Sequence, residues 1–372
     1  MRGVGDKARN VVCLSLVASL AACDRSTPVE PAPFDLASVL GGDATDGFLR
    51  ADGPREFTFP QDHGPHPGFR NEWWYFTGNL ESGDGRRIGY QLTFFNAGLP
   101  MPDTAPDSAW HSERLWMAHA ALTDAGAGEH YALERFSRES PGLAGASLEP
   151  FRVWLDDWQL RGDANGPWRL QVSEPDFALD LELAAAKAPV LQGVDGLSQK
   201  SPEPGNASYY YSITRIATRG IVRVDGETLS VSGESWLDRE WSTSALADDQ
   251  SGWDWFSLQF DDDRELMYYQ LRTENGGTHP NSQGNWTDPN AQQTLVTANE
   301  IALTELDTWT SPAGVTYATE WSLEYGGQRW RIEAVLDDQL MDLTIPYWEG
   351  AVDVLDETGA RAGRGYLEMV RD

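Results

Sequence analysis

Residues 71–80 read NEWWYFTGNL, and their alternation predicts the fold. In a β-strand, successive side chains point to opposite faces of the sheet. One face of this segment therefore carries Trp73 and Tyr75. The opposite face carries Trp74 and Phe76. Aromatic rings on both faces predict a strand that lies between a core on one side and a second layer on the other.

Similar short segments recur from residue 56 to the C-terminus, bounded by Gly, Asp, Asn and Pro. Alternation of period two with such boundaries is typical of antiparallel sandwiches and barrels. Asp225-Gly226 is a tight-hairpin signal that leads into the segment starting at residue 229. No heptads and no long amphipathic pattern interrupt the series. The sequence therefore predicts an all-β protein in which any helices are few and short.

The composition supplies a large aromatic core and an acidic surface. The 372 residues include 16 Trp, 12 Tyr and 13 Phe, and each large ring buries roughly 150–250 Å². The formal net charge is -30, from 58 acidic and 28 basic side chains. Such a chain is repelled by phosphate backbones, which excludes nucleic acid as a partner.

The N-terminus reads as an export signal. Arg2 and Lys7 precede a short apolar run, which ends in Leu-Ala-Ala-Cys at residues 20–23. This end resembles the lipobox of bacterial lipoproteins, which implies cleavage after residue 22 and lipidation of Cys23. An ordinary secretory signal cut nearby is the alternative. Asp24 resembles the signal that retains lipoproteins in the inner membrane. We therefore expect a lipid-anchored protein of the bacterial envelope that faces the periplasm.

Several chemistries lack support in the sequence. With Cys13 removed and Cys23 lipidated, no thiol remains for a disulfide, a nucleophile or a metal site. There is no G-x-S-x-G motif and no nucleotide-binding loop, so no cofactor is expected. His63 and His66 lie in a Pro/Gly-rich loop without a clear third ligand, and no metal is expected. His119 reads as a core histidine rather than a catalyst.

Residues 236–270 bring charge and aromatic side chains together more densely than any other stretch. Within it, alternation places Trp236, Asp238 and Glu240 on one strand face. Arg239 and Trp241 fall on the other face. If the protein carries out chemistry, we expect it here.

Seven motifs carry a resemblance to a known family. The chain resembles the AttH-type secreted proteins and carotenoid 1,2-hydratases, a group with two lipocalin-like β-barrel domains. The motifs are NEWWYFTGNL (71–80), MAHAALTD (117–124), ASYYYSITR (207–215), SWLDREWS (235–242), GWDWFSLQ (252–259), YWEGAVDV (347–354) and GRGYLE (363–368). The N-terminal pattern predicts a signal peptide over 1–22, and the Pro-, Ala-, Asp- and Gly-rich composition predicts a tether and lead-in over 23–55. The resemblance implies barrels over 56–228 and 229–372.

The family also implies an apolar pocket near the junction of the barrels, where hydratase members add water to an isoprenoid. The hydratases have a His at the position of Arg239, followed by a Trp that matches Trp241. A Tyr-x-Asp pair of theirs falls on Tyr268 and Gln270. Arginine does not release a proton near neutral pH, and glutamine does not titrate. Two proton-handling positions of the carotenoid hydratases are therefore replaced.

Four carboxyl groups remain as candidate catalytic acids: Asp238, Glu240, Glu72 and Glu349. Glu72 and Glu349 each neighbour Trp, where burial could raise the carboxyl pKa. The alternative is an ion pair, with Asp238 or Glu240 bridged to Arg239, Arg215 or Arg70 so that the two barrels are fastened together. The candidate ligand-binding residues, which equally fit a plain core, are Trp73, Trp74, Trp236, Arg239, Trp241, Trp255, Tyr268 and Gln270.

Two functions follow from these observations. The first is a hydratase- or isomerase-type enzyme acting on an isoprenoid or lipid-like molecule held near the barrel junction. The second is a non-catalytic carrier that passes such a molecule to an ABC exporter. The lipid anchor and the replaced proton-handling positions motivate the second.

Overall fold

The structure is a computed structural model that describes residue 45 and residues 47–99, 112–243, 246–247 and 249–371. The expected signal peptide and Cys23 lie outside the described residues, as does most of the expected tether.

Thirteen strands form the first sheet, and all their pairings are antiparallel. They are β1 (Asn71–Ser82), β2 (Arg87–Gly98), β3 (Arg114–Asp124), β4 (Glu129–Arg138), β5 (Ala144–Leu148), β6 (Phe151–Leu155), β7 (Trp158–Gly162), β8 (Trp168–Ser173), β9 (Phe177–Ala185), β10 (Val190–Leu191), β11 (Leu197–Gln199), β12 (Ala207–Val224) and β13 (Glu227–Ser242). The order is β4-β3-β2-β1-β13-β12-β9-β8-β7-β6-β5, with β10 and β11 also paired to β12.

Ten strands form the second sheet. They are β14 (Gln250–Phe260), β15 (Glu265–Thr273), β16 (Gln283–Thr287), β17 (Gln293–Thr297), β18 (Ile301–Thr310), β19 (Thr316–Tyr325), β20 (Gln328–Ala334), β21 (Leu340–Met341), β22 (Tyr347–Leu355) and β23 (Arg361–Arg371). The order is β17-β16-β15-β14-β23-β22-β20-β19-β18, with β21 also paired to β22.

Each sheet curls around its own apolar core, so the predicted class of two lipocalin-like barrels is confirmed. Within the described residues, the helical structure consists of a single 3-10 turn, Gln61–His63. This agrees with the prediction that helices are few and short. Among the described residues, none lies in a helix with the length and apolar character that crossing a bilayer requires.

The chain passes from the first sheet to the second later than residue 229, where the sequence predicted the second barrel to begin. Asp225 and Gly226 have φ values of 52° and 76°, the left-handed pair of a two-residue hairpin. This turn folds β13 directly back onto β12, so β13 stays in the first sheet, between β12 and β1. The second sheet begins only at β14. A tight hairpin joins neighbours of one sheet, so it does not mark a domain boundary.

Strands β1 and β13 separate two compartments, as the alternation predicts. Trp74 and Leu237 pack into the core of the first sheet. Tyr75 and Trp236 point the other way and pack against side chains of the second sheet. The central strands of the first sheet are therefore buried on both faces.

An ion-pair cluster joins the two sheets. A register shift between Ile213 and Ile216 interrupts the pairing of β12 with β13, and bulges of this kind re-aim side chains. Arg215 lies in this irregularity and places its Nε 2.8 Å from Oε1 of Glu265 on β15. Lys187 reaches the same carboxyl at 2.8 Å. The predicted partners of Arg215, Asp238 and Glu240, are wrong: Arg215 pairs with Glu265 and Glu234 instead, and Glu240 pairs with Lys200.

Candidate functional site

A pocket lies between the outer faces of the two sheets. It encloses about 820 Å³ free of protein atoms, including a part open to solvent, and apolar surface predominates in its lining. We call it the inter-sheet pocket. Its lining residues are Trp73, Tyr75, Thr93, Phe95, Lys200, Tyr210, Asp238, Glu240, Ser242, Leu246, Trp253, Trp255, Tyr269, Leu271 and Glu368.

Asp238 is the most enclosed carboxyl group of the inter-sheet pocket, with 2% of the residue exposed. Trp236 Nε1 donates a hydrogen bond to its Oδ1 at 2.6 Å, and the hydroxyls of Tyr210 and Ser212 also donate to the carboxyl. Burial raises the pKa of Asp238 to about 7, and these three hydrogen bonds only partly offset the effect. Asp238 is therefore poised to gain and lose a proton near neutral pH.

Glu368 approaches the pocket from the second sheet. Trp253 Nε1 donates a hydrogen bond to its Oε1 at 2.6 Å. Burial, together with the charges of Asp238 and Glu240, raises the pKa of Glu368 to about 7, against the opposing effect of that hydrogen bond. The pocket therefore holds two carboxyl groups that titrate in the same range, and their charges oppose one another.

Glu240 has a different environment because it pairs with a lysine. Lys200 Nζ lies 3.2 Å from Glu240 Oε1 and 3.9 Å from the ring centroid of Tyr269. Burial opposes the charge on Lys200, but the Glu240 carboxylate and Tyr269 together outweigh this effect and raise the lysine pKa. The pair forms a charged end in an otherwise apolar pocket.

Glu349 is buried behind the pocket and does not line it. It lies directly opposite Glu368 in the pairing of β22 with β23. Neither of its carboxyl oxygens has a hydrogen-bond partner among the described residues, and the hydroxyls of Tyr75 and Tyr347 are nearby. Burial and the charge of Glu368 raise the pKa of Glu349 well above its usual value. We infer a neutral, protonated side chain.

The pocket carboxyls should make stability depend on pH. Because the pKa of Asp238 rises from 3.8 to about 7, the folded protein keeps a proton that the unfolded chain loses at lower pH. Stability is therefore expected to fall as the pH rises through this window, by about 3 kcal/mol for this carboxyl between pH 5 and pH 8. Urea unfolding of wild type and Asp238→Asn at both pH values measures the difference. The exposed Asp307→Asn serves as the matched control, and equal slopes in all three proteins would contradict the assignment.

Glu72 is not in the pocket, and its pKa moves opposite to the direction that burial beside Trp suggested. Its Oε2 lies 2.6 Å from Arg239 Nη2 in the interior of the first barrel, with both side chains fully buried. Asn96 and the backbone N–H of His66 donate to the same carboxyl. Burial alone would raise the pKa, but Arg239 and His66 outweigh it and hold the Glu72 pKa at about 2. The ion-pair alternative therefore describes Glu72.

The predicted ligand-binding rings divide between three environments. Trp73 and Trp255 line the inter-sheet pocket. Trp236 is buried beside it and holds Asp238. Trp74 and Trp241 lie inside the first barrel, where the Arg239 guanidinium stacks 3.7 Å from the Trp74 ring centroid. Tyr268 belongs to the core of the second sheet.

His63, His66 and His119 each make hydrogen bonds that hold parts of the fold together. His63 shares a hydrogen bond with Tyr211, and His66 contacts Asp62 and Arg239. His119 shares a hydrogen bond with Tyr347 across the two sheets, and burial lowers its pKa to about 3. Among the residues with described positions, no group of three His, Cys, Asp or Glu is arranged to hold a metal ion.

Comparison with known proteins decides the family. The profile of the AttH-like family matches residues 50–371, which is most of the chain. The chain belongs to the AttH-like family. A crystal structure described as a putative AttH from Nitrosomonas europaea is 32% identical to this AttH-like protein. The match covers 87% of this chain and 99% of that one, with a TM-score of 0.79.

Two more distant structures share the fold of this AttH-like protein. Kievitone hydratase from Nectria haematococca is 16% identical with a TM-score of 0.66, and the match covers 91% of this chain and 98% of that one. CghA is 11% identical with a TM-score of 0.52, covering 89% and 97%. No curated protein sequence matches the chain significantly. At these identities the two structures establish the shared fold alone.

The structure also locates the positions where the resemblance places hydratase proton donors. Arg239 points into the first barrel, away from the inter-sheet pocket. Gln270 donates to Asp254 Oδ2 at 3.1 Å and borders a separate groove of the second barrel. The neighbours Asp238 and Tyr269 face the pocket instead. In this AttH-like protein, the side chains of β13 and β15 that face the pocket therefore occupy the alternate positions of the same strands.

Sequence reasoning did not single out Glu368, Lys200 or Tyr210. Glu368 ends the motif GRGYLE, and Tyr210 is the middle tyrosine of ASYYYSITR, so both lay within quoted motifs. Alternation could have separated Tyr210 from its two neighbours. Lys200 precedes β12 in a connection without periodicity, and no local signal indicates its approach to Glu240.

Proposed function

We propose that this protein binds an apolar isoprenoid or lipid-like molecule in the inter-sheet pocket and carries out hydratase-type acid–base chemistry on it. The observation that carries the proposal is Asp238, a carboxyl group with a pKa of about 7 in a pocket lined by aromatic rings. Membership of the AttH-like family and the fold shared with a hydratase support it. The groups with pKa values near neutrality are the ones suited to general acid–base catalysis.

The pocket supplies three requirements for adding water to an alkene. A neutral carboxyl group donates a proton to one carbon, and Asp238 and Glu368 are the candidates. The rings of Trp73, Trp253 and Trp255 stabilise the positive charge that develops on the neighbouring carbon, by roughly 0.5–2 kcal/mol each. A carboxylate then accepts a proton from the incoming water. The overall reaction consumes one water and no net proton.

A carrier function is the second candidate. In this hypothesis the protein holds the same kind of molecule unchanged and passes it to an ABC exporter, and lipid on Cys23 keeps it at the periplasmic side of the membrane. The replacement of the hydratase positions by Arg239 and Gln270 favours this reading. Both candidates use the inter-sheet pocket, so they differ in the fate of the ligand rather than in its place.

Analysis of the bound material separates the two candidates. The mature chain, purified from its native envelope in mild detergent, is extracted with organic solvent, and the extract is analysed by mass spectrometry. The apolar compounds found are then incubated with fresh protein in water enriched in ¹⁸O. A product with one added labelled oxygen supports the hydratase proposal. Recovery of every compound unchanged supports the carrier and contradicts catalysis.

Filling the pocket tests whether it is the binding site. Leu271 lines the inter-sheet pocket, so Leu271→Trp is expected to weaken binding of farnesol, used as an isoprenoid probe, by at least about 10-fold. Quenching of intrinsic tryptophan fluorescence measures the affinity. Leu303→Trp, in a half-buried position on β18, is the control and should bind farnesol as wild type does. Equal affinities for all three proteins would exclude this pocket.

A further inference from the structure

The two titrating carboxyl groups of the pocket come from different sheets. Asp238 belongs to β13 of the first sheet, and Glu368 belongs to β23 of the second. Both line the inter-sheet pocket, and their charges interact across it. A molecule held between the sheets therefore meets one carboxyl group on each side.

The two carboxyl groups accept different numbers of hydrogen bonds from the described residues. Asp238 accepts hydrogen bonds from Tyr210, Ser212 and Trp236. Among the described residues, Glu368 accepts one, from Trp253. Hydrogen bonds donated to a carboxyl group stabilise its ionised form, so this difference favours the carboxylate at Asp238.

The carboxylates that share the pocket with Glu368 oppose a charge there, because the charges of Asp238 and Glu240 both raise its pKa. Glu349 is paired with Glu368 in register, and such cross-strand side chains have Cβ atoms about 4.5–5.5 Å apart. Glu349 holds the proton that two buried carboxyl groups this close must retain, so it adds no charge beside Glu368. Among the described residues, no lysine or arginine forms an ion pair with Glu368, whereas Lys200 pairs with Glu240. The protonated form is therefore favoured at Glu368.

Other titratable groups surround these carboxyls without reversing the difference. Tyr75, Tyr210 and Tyr347 have pKa values raised well above the usual value by burial, so they remain neutral donors. Glu240 forms an ion pair with Lys200, and its remaining negative field raises the pKa of both carboxyl groups alike. The proton shared across the pocket is therefore distributed between Asp238 and Glu368.

We propose that Glu368 is the acid that donates a proton to the substrate and that Asp238 is the base that deprotonates the attacking water. This assignment rests on the proposed hydratase function. The O–H bond of Glu368 breaks as the alkene electron pair forms a C–H bond. The water oxygen then bonds to the neighbouring carbon, and its proton passes to Asp238. Return of that proton to Glu368 through pocket water closes the cycle. Because the two groups belong to opposite sheets, hydrogen and hydroxyl add to opposite faces of the double bond.

Infrared spectroscopy of the purified mature protein tests the assignment without any substrate. The carbonyl stretch of protonated carboxyl groups is followed from pH 5 to pH 9 in wild type, Glu368→Gln and Asp238→Asn. At pH 7 we expect this band to be reduced in Glu368→Gln and retained in Asp238→Asn. A band lost in Asp238→Asn and retained in Glu368→Gln, or equal losses in both, would overturn the assignment.

Two further variants keep the result interpretable. Glu349→Gln should remove a protonated band that persists at the upper end of the pH range, which separates Glu349 from Glu368. If an amide variant does not fold, Glu368→Met or Asp238→Ser replaces it with the same readout. Failure of the infrared test overturns only the roles of acid and base. Failure to find a labelled product overturns the proposed function itself.

Discussion

Replacing Arg239 by methionine is expected to lower the free energy of unfolding by about 3–5 kcal/mol. The substitution leaves Glu72 as a buried carboxylate without its cation, in a barrel interior where both side chains are fully buried. Its stacking on Trp74 is also lost. Urea-induced unfolding, followed by tryptophan fluorescence at pH 7, measures the change.

The matched double variant separates charge from packing. Arg239→Met combined with Glu72→Gln removes both charges and is expected to recover a large part of the lost stability. If the double variant is as unstable as Arg239→Met alone, lost packing rather than the unpaired charge explains the effect. The wild-type pair also predicts acid sensitivity. Because the Glu72 pKa falls from 4.5 to about 2, its contribution is complete above pH 4.5 and is lost as the pH falls towards 2.

Replacing Asp238 by asparagine is expected to reduce turnover about 10²–10⁴-fold while the protein remains folded. The amide keeps the size of the carboxyl group and can still accept from Trp236 and Ser212, but it cannot exchange a proton. The rate of ¹⁸O-labelled product formation from the compounds recovered from the native protein measures the loss.

The control for Asp238→Asn is the same chemical change on the surface. Asp307 is exposed on β18, outside the inter-sheet pocket, so Asp307→Asn should retain wild-type turnover. Circular dichroism and unfolding midpoints confirm that both variants are folded. Undiminished turnover in Asp238→Asn would remove this residue from the reaction and leave Glu368 as the remaining pocket acid with a pKa near neutrality.

The fold could be predicted from the sequence because its signals are local. Alternation in residues 71–80 is enough to place Trp74 and Tyr75 on opposite faces, and the structure confirms this arrangement. Asp225-Gly226 also forms the expected hairpin. The residue at which the chain leaves the first sheet could not be predicted from the sequence. It depends on the long-range pairing of β13 with β1, which no local pattern indicates.

The site could be predicted only in part. Alternation correctly groups Asp238 with Glu240, and both line the pocket. It does not reveal that Arg239 pairs with Glu72, because these residues are distant in sequence and meet only through the pairing of β1 with β13. The opposite pKa shifts of Glu72 and Glu349 depend on one cation, which is present beside the first and absent beside the second among the described residues. Neighbouring tryptophans in sequence do not report that difference.

Strand β13 contributes side chains to the first barrel's interior on one face and to the inter-sheet pocket on the other. This restricts which insertions and deletions the coding sequence of the strand can tolerate. Its odd-numbered residue Arg239 completes the buried ion pair, and its even-numbered residues Asp238 and Glu240 face the pocket. Inserting or deleting one codon within the strand would exchange the two sets, burying two unpaired acids in the barrel and placing a fixed cation in the pocket. Tolerated length variation should therefore be confined to the turn at Asp225-Gly226 and to the connection after Ser242.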